Sequence, residues 1–366
     1  MTIMSKEITV KGKTYKLPMF MPDATRAVVK GIDSSDIAEA GIEGQVVNTY
    51  HLMTNPGISV LKNFKGVKNF MNWGGLVASD SGGWQIFSLI QRNKNNGTIT
   101  DKGITFSANG KDKELYTPEK CIELQFEIGS DIMICLDDFT PPTAEESRVK
   151  ESVERTILWA KRSKDRYEQL VKEKGLMESE RPLLFAVIQG ASSETLRKDC
   201  AQKLIEQGFD GYGFGGYLVD EETHLLDIEQ MKFLSGLIPN NTLKFALGVG
   251  TPLEIALCSK AGWDIFDCTL PTRDARNKRL YVFNWEPKTK NDLEDQSIHG
   301  FLYIGRDEYR RDERPVSEFC DCYTCKNYSR AYLNHLFEVG DCLAERLCTI
   351  HNLRTYSKVI EILRAR

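Results

Sequence analysis

Residues 262–279 read GWDIFDCTLPTRDARNKR. Ile265 and Phe266 are apolar enough for the buried end of a strand, and Asp267 follows at once, where an ionised carboxylate is costly unless it faces a site. Pro271 and Thr272 stop the strand. Arg273, Arg276, Lys278 and Arg279 then crowd the next loop with positive charge, as a polyanion would require. One reading is a nucleophile beside a phosphate clamp; the plainer one is a core-edge aspartate with a solvated basic loop.

The pair 265–266 is the last of eight short apolar runs, the others lying at 19–21, 45–47, 76–78, 132–136, 183–188, 212–214 and 245–247. Each ends in a turn or polar signal, and most are followed by a helical pattern. Strands alternating with helices predict parallel βα units, and eight of them predict an α/β fold closed as a (β/α)8 TIM barrel. Thr117-Pro118 and Thr251-Pro252 each place an N-cap before a proline at the first helical position. Thr143 with Glu146 predicts a capping box, after which Val149, Val153, Ile157 and Ala160 form an apolar stripe. Asn96-Gly97 and Asn109-Gly110 are hairpin-turn dipeptides and predict a hairpin insertion at the barrel mouth. Beyond 284 the composition becomes charged and irregular, then helical. The expected division is a catalytic barrel over 1–284 and a zinc-binding subdomain over 285–366, whose helices pack on the barrel.

With 366 residues, 41% hydrophobic and 27% charged, the chain can bury a large core. A net charge of −4 argues against a general nucleic-acid coat and leaves room for a local basic patch. The opening MTIMSKEITVKGK has no apolar signal core, and no run reaches transmembrane length, so a cytoplasmic protein with no membrane partner is expected. Its ten cysteines are then core thiols plus a metal site rather than disulfides.

In such a barrel the site lies just past the strands' C-terminal ends. There stand Asn48, Asp80, Asp137, Gln189, Gly215-Gly216, Gly248-Val249-Gly250 and Asp267. Carboxylates, amides and glycines around one mouth suit a planar, hydrogen-bonding heterocycle. In Asp80-Ser81-Gly82-Gly83-Trp84-Gln85 the two glycines would let a ligand approach the backbone, and Trp84 offers a flat face. Cys320, Cys322 and Cys325 supply three thiolates, and a structural zinc needs a fourth ligand. Cys348 and His351 compete for that place on one helical face, with His335 and Cys342 as further options.

These motifs resemble the tRNA-guanine transglycosylases, most like the bacterial members. The resemblance runs through LPMFMPDATRAVVKG, NTYHL, SDSGGWQIFSL, AVIQG, GFDGYGFGGY, GVGTP, FDCTLPTRDARN and CDCYTCKNYSRAYLNHL, nearly the whole chain. It implies a homodimeric barrel with one structural Zn2+ per chain. Its implied activity is exchange of the wobble guanine of GUN anticodons for a 7-deazaguanine base, in queuosine biosynthesis, through a covalent Asp-ribosyl intermediate. Asp267 would be the nucleophile and Asp80 the general acid and base. Asp80, Ser81, Gly82, Gly83, Trp84, Gln85, Asp137, Gln189, Gly216 and Leu247 would surround the base. Gly248, Val249, Gly250, Thr251, Pro252, Leu253 and Glu254, with Thr272, Arg273, Asp274, Ala275 and Arg276, would meet the tRNA anticodon loop. Cys320, Cys322, Cys325 and His351 would hold the zinc.

Departures from the family pattern bear on the incoming base. Trp84 stands where Phe or Tyr is usual, Leu247 where Met is usual, Phe139 where Cys is usual, and Tyr217-Leu218 replace Leu-Ala. Bulk at Phe139, Tyr217 and Leu218, with Glu221 as an anionic partner, favours 7-aminomethyl-7-deazaguanine. Asp137-Asp138 resembles the pair of queuine-inserting members, which makes queuine salvage the alternative. A non-catalytic tRNA-binding subunit of the same fold is the reading from another class, and retention of Asp80 and Asp267 argues against it. A retaining glycoside hydrolase would need neither the cysteine cluster nor the basic loop.

Overall fold

The computed structural model describes residues 6–93, 96–107, 113–141, 143–216, 219 and 225–365. A short hairpin, β1 (Glu7–Val10) and β2 (Lys13–Lys16), precedes the barrel. The barrel strands are β3 (Met19–Pro22), β4 (Gly44–Asn48), β5 (Leu76–Asp80), β9 (Ile132–Ile134), β10 (Leu183–Ile188), β11 (Gly211–Phe214), β12 (Leu243–Ala246) and β13 (Ile265–Cys268). They pair in parallel in the order β3-β13-β12-β11-β10-β9-β5-β4. A parallel bridge between Asp23 and Val46, with Ala24 N donating to Val46 O at 2.7 Å, closes the ring. All eight apolar runs are barrel strands.

Both faces of each strand are buried, which is why the runs are apolar without alternation. Met21, Val46, Ala78, Ile134, Val187, Phe245 and Ile265 fill the barrel. Their neighbours Phe20, Val47, Val77, Ala186, Ile188, Ala246 and Phe266 face the surrounding helices. Side chains alternate with period two, so the next inward position on β13 after Ile265 is Asp267. The same parity carries Ala78 to Asp80, Val46 to Asn48 and Phe245 to Leu247.

Thr117 accepts from Lys120 N ahead of the helix Pro118–Ile128, and Thr251 forms a full capping box with Glu254. The box expected from Thr143 and Glu146 does not form. Thr143 lies inside a turn closed by Ala144 N to Pro141 O, so the helix Glu146–Glu173 begins with Glu146 as its first residue and no side-chain cap. The insertion is a three-stranded antiparallel sheet of β6 (Gly97–Thr100), β7 (Gly103–Phe106) and β8 (Glu114–Tyr116). Its first turn is Asp101-Lys102, not Asn96-Gly97. Gly97 starts β6 because a Cβ there would lie 2.2 Å from Thr105 O. Asn109-Gly110 lies outside the described residues. Tyr116 Oη donates to Ser81 O at 2.6 Å, which fastens this sheet to the rim beside Asp80.

The expected basic loop is partly helical, since residues Leu270–Arg276 form a helix that leads into β14 (Arg279–Phe283), paired with β15 (His299–Tyr303). The last helix, Cys342–Arg364, packs across this region. Its buried Asn352 accepts from Tyr281 N at 3.0 Å and donates to Pro271 O at 2.9 Å and Arg279 O at 3.1 Å. Tyr356 Oη donates to Gly250 O, and Arg346 forms a two-bond pair with Asp36, 2.7 Å each. Among the described residues, no helix is long and apolar enough to cross a membrane.

Candidate active site

A cavity of about 690 Å³ opens at the C-terminal ends of the strands. Asp80, Asp137 and Asp267 all line it. Asp267 Oδ1 accepts from Gly248 N at 2.9 Å, and burial, with Asp80 and Asp23 nearby, pushes its carboxyl up to about 7. Asp80 is better provided. Asn48 Nδ2 donates to it at 2.6 Å, and the Gln85 side chain and the Ser81 and Gly82 amides add to this. Burial still raises it, to about 6. Asp137 is pushed by burial to about 7 although Gln189 Nε2 donates to it at 2.6 Å. Groups this close titrate together and share protons rather than losing them independently.

Asp138 has a different environment from its neighbour. Its buried carboxylate takes Arg148 through bonds of 2.9 and 2.6 Å, and it also pairs with Arg155. That clamp holds the segment from which Asp137 points into the cavity. The amide oxygens Gln85 Oε1 and Gln189 Oε1 are buried with no partner among the described residues, and of the two Gln85 lines the cavity, where it can accept from a ligand.

Of the other residues singled out in the sequence, Asn48, Trp84, Gln85, Gly215, Gly216, Leu247, Gly248, Val249, Thr251, Glu254 and Arg273 line the cavity. Gln189 does not: it is fully buried behind the wall, where a Cβ on Gly215 would lie 2.1 Å from its Nε2. Gly82 and Gly83 serve the protein's own packing rather than ligand approach. A Cβ on Gly82 would meet Tyr50 Cβ at 2.6 Å, and one on Gly83 would meet Leu136 Cδ1 at 2.9 Å. Ser81 is buried, and its Oγ accepts from Gly83 N. Gly250 packs on Cys268, while Pro252, Thr272, Asp274 and Ala275 are buried and Leu253 lies off the cavity.

The positive charges also separate. Arg279 pairs with Asp274 at 2.5 Å and lies over the Phe301 ring, and Lys278 lies over Phe337. Arg276 is half-buried, with Nη1 unpartnered among the described residues. Among these four, Arg273 reaches the cavity. Asp23 and His51 also line it, and the sequence reading did not select them. Asp23 follows Met21 at the inward parity, so the signal that found Asp267 would have found it too. Thr25 N donates to Asp23, whose carboxyl burial raises.

Cys320, Cys322, Cys325 and His351 bring their ligand atoms within 4.8 Å of one another. His351 Nδ1 lies 3.3 Å from Cys325 Sγ, and Nε2 lies 2.8 Å from Tyr281 O. A carbonyl only accepts, so Nε2 carries the hydrogen and Nδ1 is left for a metal. Cys348, the competitor left open by spacing, is buried among Leu280, Leu302 and Leu333, and Cys342 is exposed.

A closed (β/α)8 barrel with half-buried carboxylates at its mouth and a Cys3His cluster in its C-terminal part defines a barrel protein built for chemistry at its rim. The chain belongs to the queuine tRNA-ribosyltransferase family, whose profile matches residues 5–366. It is 38% identical over 359 residues to the queuine tRNA-ribosyltransferase of Actinobacillus pleuropneumoniae serotype 3 (strain JL03), covering 97% of this chain and 86% of that protein. With the protein of the same description from Caldanaerobacter subterraneus subsp. tengcongensis it shares 38% over 348 residues, 95% of this chain and 85% of the relative. The Haemophilus ducreyi protein of that description is 36% identical over 359 residues, 97% of this chain and 86% of its own length.

Because the Asp267 carboxyl is raised from 3.8 to about 7, ionising it in the folded state costs stability as pH climbs between those values. Asp267→Asn is expected to melt roughly 1–3 °C above the parent at pH 8, a shift of the size that about 1–2 kcal/mol produces in a chain of this length. At pH 5, where the native carboxyl already holds its proton, the gain shrinks. Thermal melts at both pH values decide this, and an identical difference at each would refute the buried-charge account.

Proposed function

We propose that the chain is a tRNA-guanine transglycosylase of the queuosine pathway, a pentosyltransferase that exchanges the wobble guanine of GUN anticodons for a 7-deazaguanine base. The observation that carries this reading is the pairing of Asp267 and Asp80 across one cavity with unlike surroundings. Asp267 has a single backbone amide on one oxygen, which leaves the rest of the carboxylate open to an electrophile. Asp80 is held by several donors in the place of a proton carrier. The family match over residues 5–366 supports the same reading.

In the proposed reaction an Asp267 oxygen attacks C1′ of the wobble nucleotide while the bond from C1′ to N9 breaks. The electron pair leaves with the base, and Asp80 supplies the base's proton. The incoming base then gives its N9 proton to Asp80 and attacks C1′, and the bond to Asp267 breaks. The step needs one proton on Asp80 and an ionised Asp267; in the free protein, with Asp80 at about 6 and Asp267 at about 7, a shared proton rests on Asp267, so it has to pass to Asp80 when the nucleotide binds. Leu247 just past β12 and Trp84 after β5 stand on opposite sides of the ring, as the two faces of a planar base require. Between them run β9, β10 and β11, past whose ends Asp137 and Gly216 offer the base edge, with Gln189 behind them bonding Asp137. Arg273 at the rim would take an anticodon-loop phosphate.

Catalysis would reside in residues 1–284 and metal binding in 285–366. Three thiolates and an imidazole suit a tetrahedral Zn2+ with no position left for water, a structural role. Cytoplasmic location follows from the tRNA substrate. Tyr323 and Tyr332 are 47% and 39% exposed, and the Tyr328 and Tyr332 rings stack at 5.4 Å. Such a patch supports a homodimer.

Phe139 lines the cavity, its ring edge-on to Phe87 at 5.0 Å, and narrows the space for a base substituent. This favours 7-aminomethyl-7-deazaguanine over queuine, whose cyclopentenediol needs more room. Tyr217, Leu218 and Glu221 lie outside the described residues.

Labelled guanine should enter unfractionated tRNA at the wobble position; label at another position, or none, would sink the reading. Asp267→Ala should abolish a denaturation-resistant protein–RNA adduct, and Asp80→Asn should slow turnover by roughly a hundredfold. Elemental analysis should find one zinc per chain, lost in His351→Ala together with stability. With both bases competing for exchange, the aminomethyl base should win, and a queuine preference of about tenfold, or 1.4 kcal/mol, reverses the assignment.

A further inference from the structure

Arg197 lies in the helix Glu194–Gln207 and is fully buried. A guanidinium this deep ordinarily meets a carboxylate. Here it meets backbone carbonyls: Nη1 donates to Ile188 O at 2.6 Å and Gly215 O at 2.8 Å, and Nε to Ala191 O at 2.9 Å. Nη2 is buried with no partner among the described residues. Burial pulls the group down to about 10, so it still carries its charge at neutral pH. That charge is held by peptide dipoles and by no ion pair among the described residues.

Its placement is specific to the cavity wall. Nη1 takes the carbonyl that ends β10, at Ile188, and the one just past the end of β11, at Gly215; the residues that follow them are Gln189, which bonds Asp137, and Gly216, which lines the cavity. Gly216 lines the cavity, and a Cβ on it would lie 3.3 Å from Nη2, so the unpartnered nitrogen stands directly behind that glycine. Gly190 has no side chain for a related reason, since a Cβ there would lie 2.8 Å from Arg197 N. At Gly216 the chain thus leaves room for the guanidinium, and at Gly190 for the backbone and Cδ of the same residue.

We propose that Arg197 is a positioning residue for the departing base, pinning β10 to β11 and setting a positive potential behind Gly216 against which the base places its carbonyl oxygen. The inference rests on the transglycosylase reading and deepens it. The edge of guanine carries N–H donors beside a carbonyl acceptor. Asp137, past the end of β9, suits the donors, which leaves the acceptor for the wall of opposite sign past β11. When the bond from C1′ to N9 breaks, its electron pair enters the ring and reaches that oxygen by conjugation. A fixed positive charge behind the wall therefore acts more strongly in the transition state than before it.

Two free bases separate this role from a purely structural one. Guanine has the carbonyl, whereas 2-aminopurine keeps the ring system and the amino group without it. In Arg197→Met, guanine affinity should fall at least tenfold relative to the parent, and 2-aminopurine affinity less than twofold. Adduct formation at saturating tRNA should slow at least tenfold, with tRNA affinity changed less than threefold. Equal losses for the two bases would overturn the proposal while leaving the transglycosylase reading intact. Failure of the parent protein to bind either base would overturn both. If Arg197→Met does not fold, as judged by circular dichroism, Arg197→Gln keeps a donor for the strand-end carbonyls and carries the same comparison.

Discussion

Parallel strands buried on both faces leave a barrel interior with no room for an unpaired charge, and every functional feature of this molecule follows from that constraint. Charges can stand only where the strands end, and there the inward parity set by Val46, Ala78, Phe245 and Ile265 decides which residues face the cavity. Asp80 and Asp267 are therefore half in the core and half in the mouth. Their carboxyls rise towards neutrality because the protein withdraws water from them without supplying cations. The same desolvation would make them useful for moving one proton and forming one bond near neutral pH.

What the rim lacks in counter-charge it has in dipoles. Asp267 meets the Gly248 amide, Asp80 meets the amides of Ser81 and Gly82, and Arg197 meets the carbonyls of Ile188 and Gly215. Asp138 shows the contrasting case. With Arg148 and Arg155 on it, it is an ion pair turned away from the cavity, and its work is to hold the segment that carries Asp137.

The C-terminal helix ties these strand ends to the cysteine cluster. His351 contacts the Tyr281 carbonyl, Asn352 bonds Pro271 and Arg279, and Tyr356 bonds Gly250. Consecutive turns of one helix thus hold the metal-ligand group, the helix that follows Asp267 and the loop that donates to Asp267. A metal bound there would stiffen the rim without approaching the chemistry.

The sequence by itself determined the barrel, because eight apolar runs at βα spacing have few other ways to bury both faces, and it marked Asp80, Asp137 and Asp267 as strand-end carboxylates. Helix starts were legible where a cap met a proline, as at Thr117 and Thr251, and illegible at Thr143, where a local turn took the residue first. Asn96-Gly97 misled because a glycine needed for close strand packing looks the same in sequence as one needed for a turn. Only the tertiary structure chose His351 over Cys348 within the chain's own geometry, since the two share a helical face and differ in what that face meets. It also showed that Gly82 and Gly83 make room for Tyr50 and Leu136, that Arg279 is consumed by Asp274, and that Arg197 is buried against the carbonyls of Ile188, Ala191 and Gly215. Those outcomes depend on which surfaces meet when the ring closes, and local patterning carries no record of that.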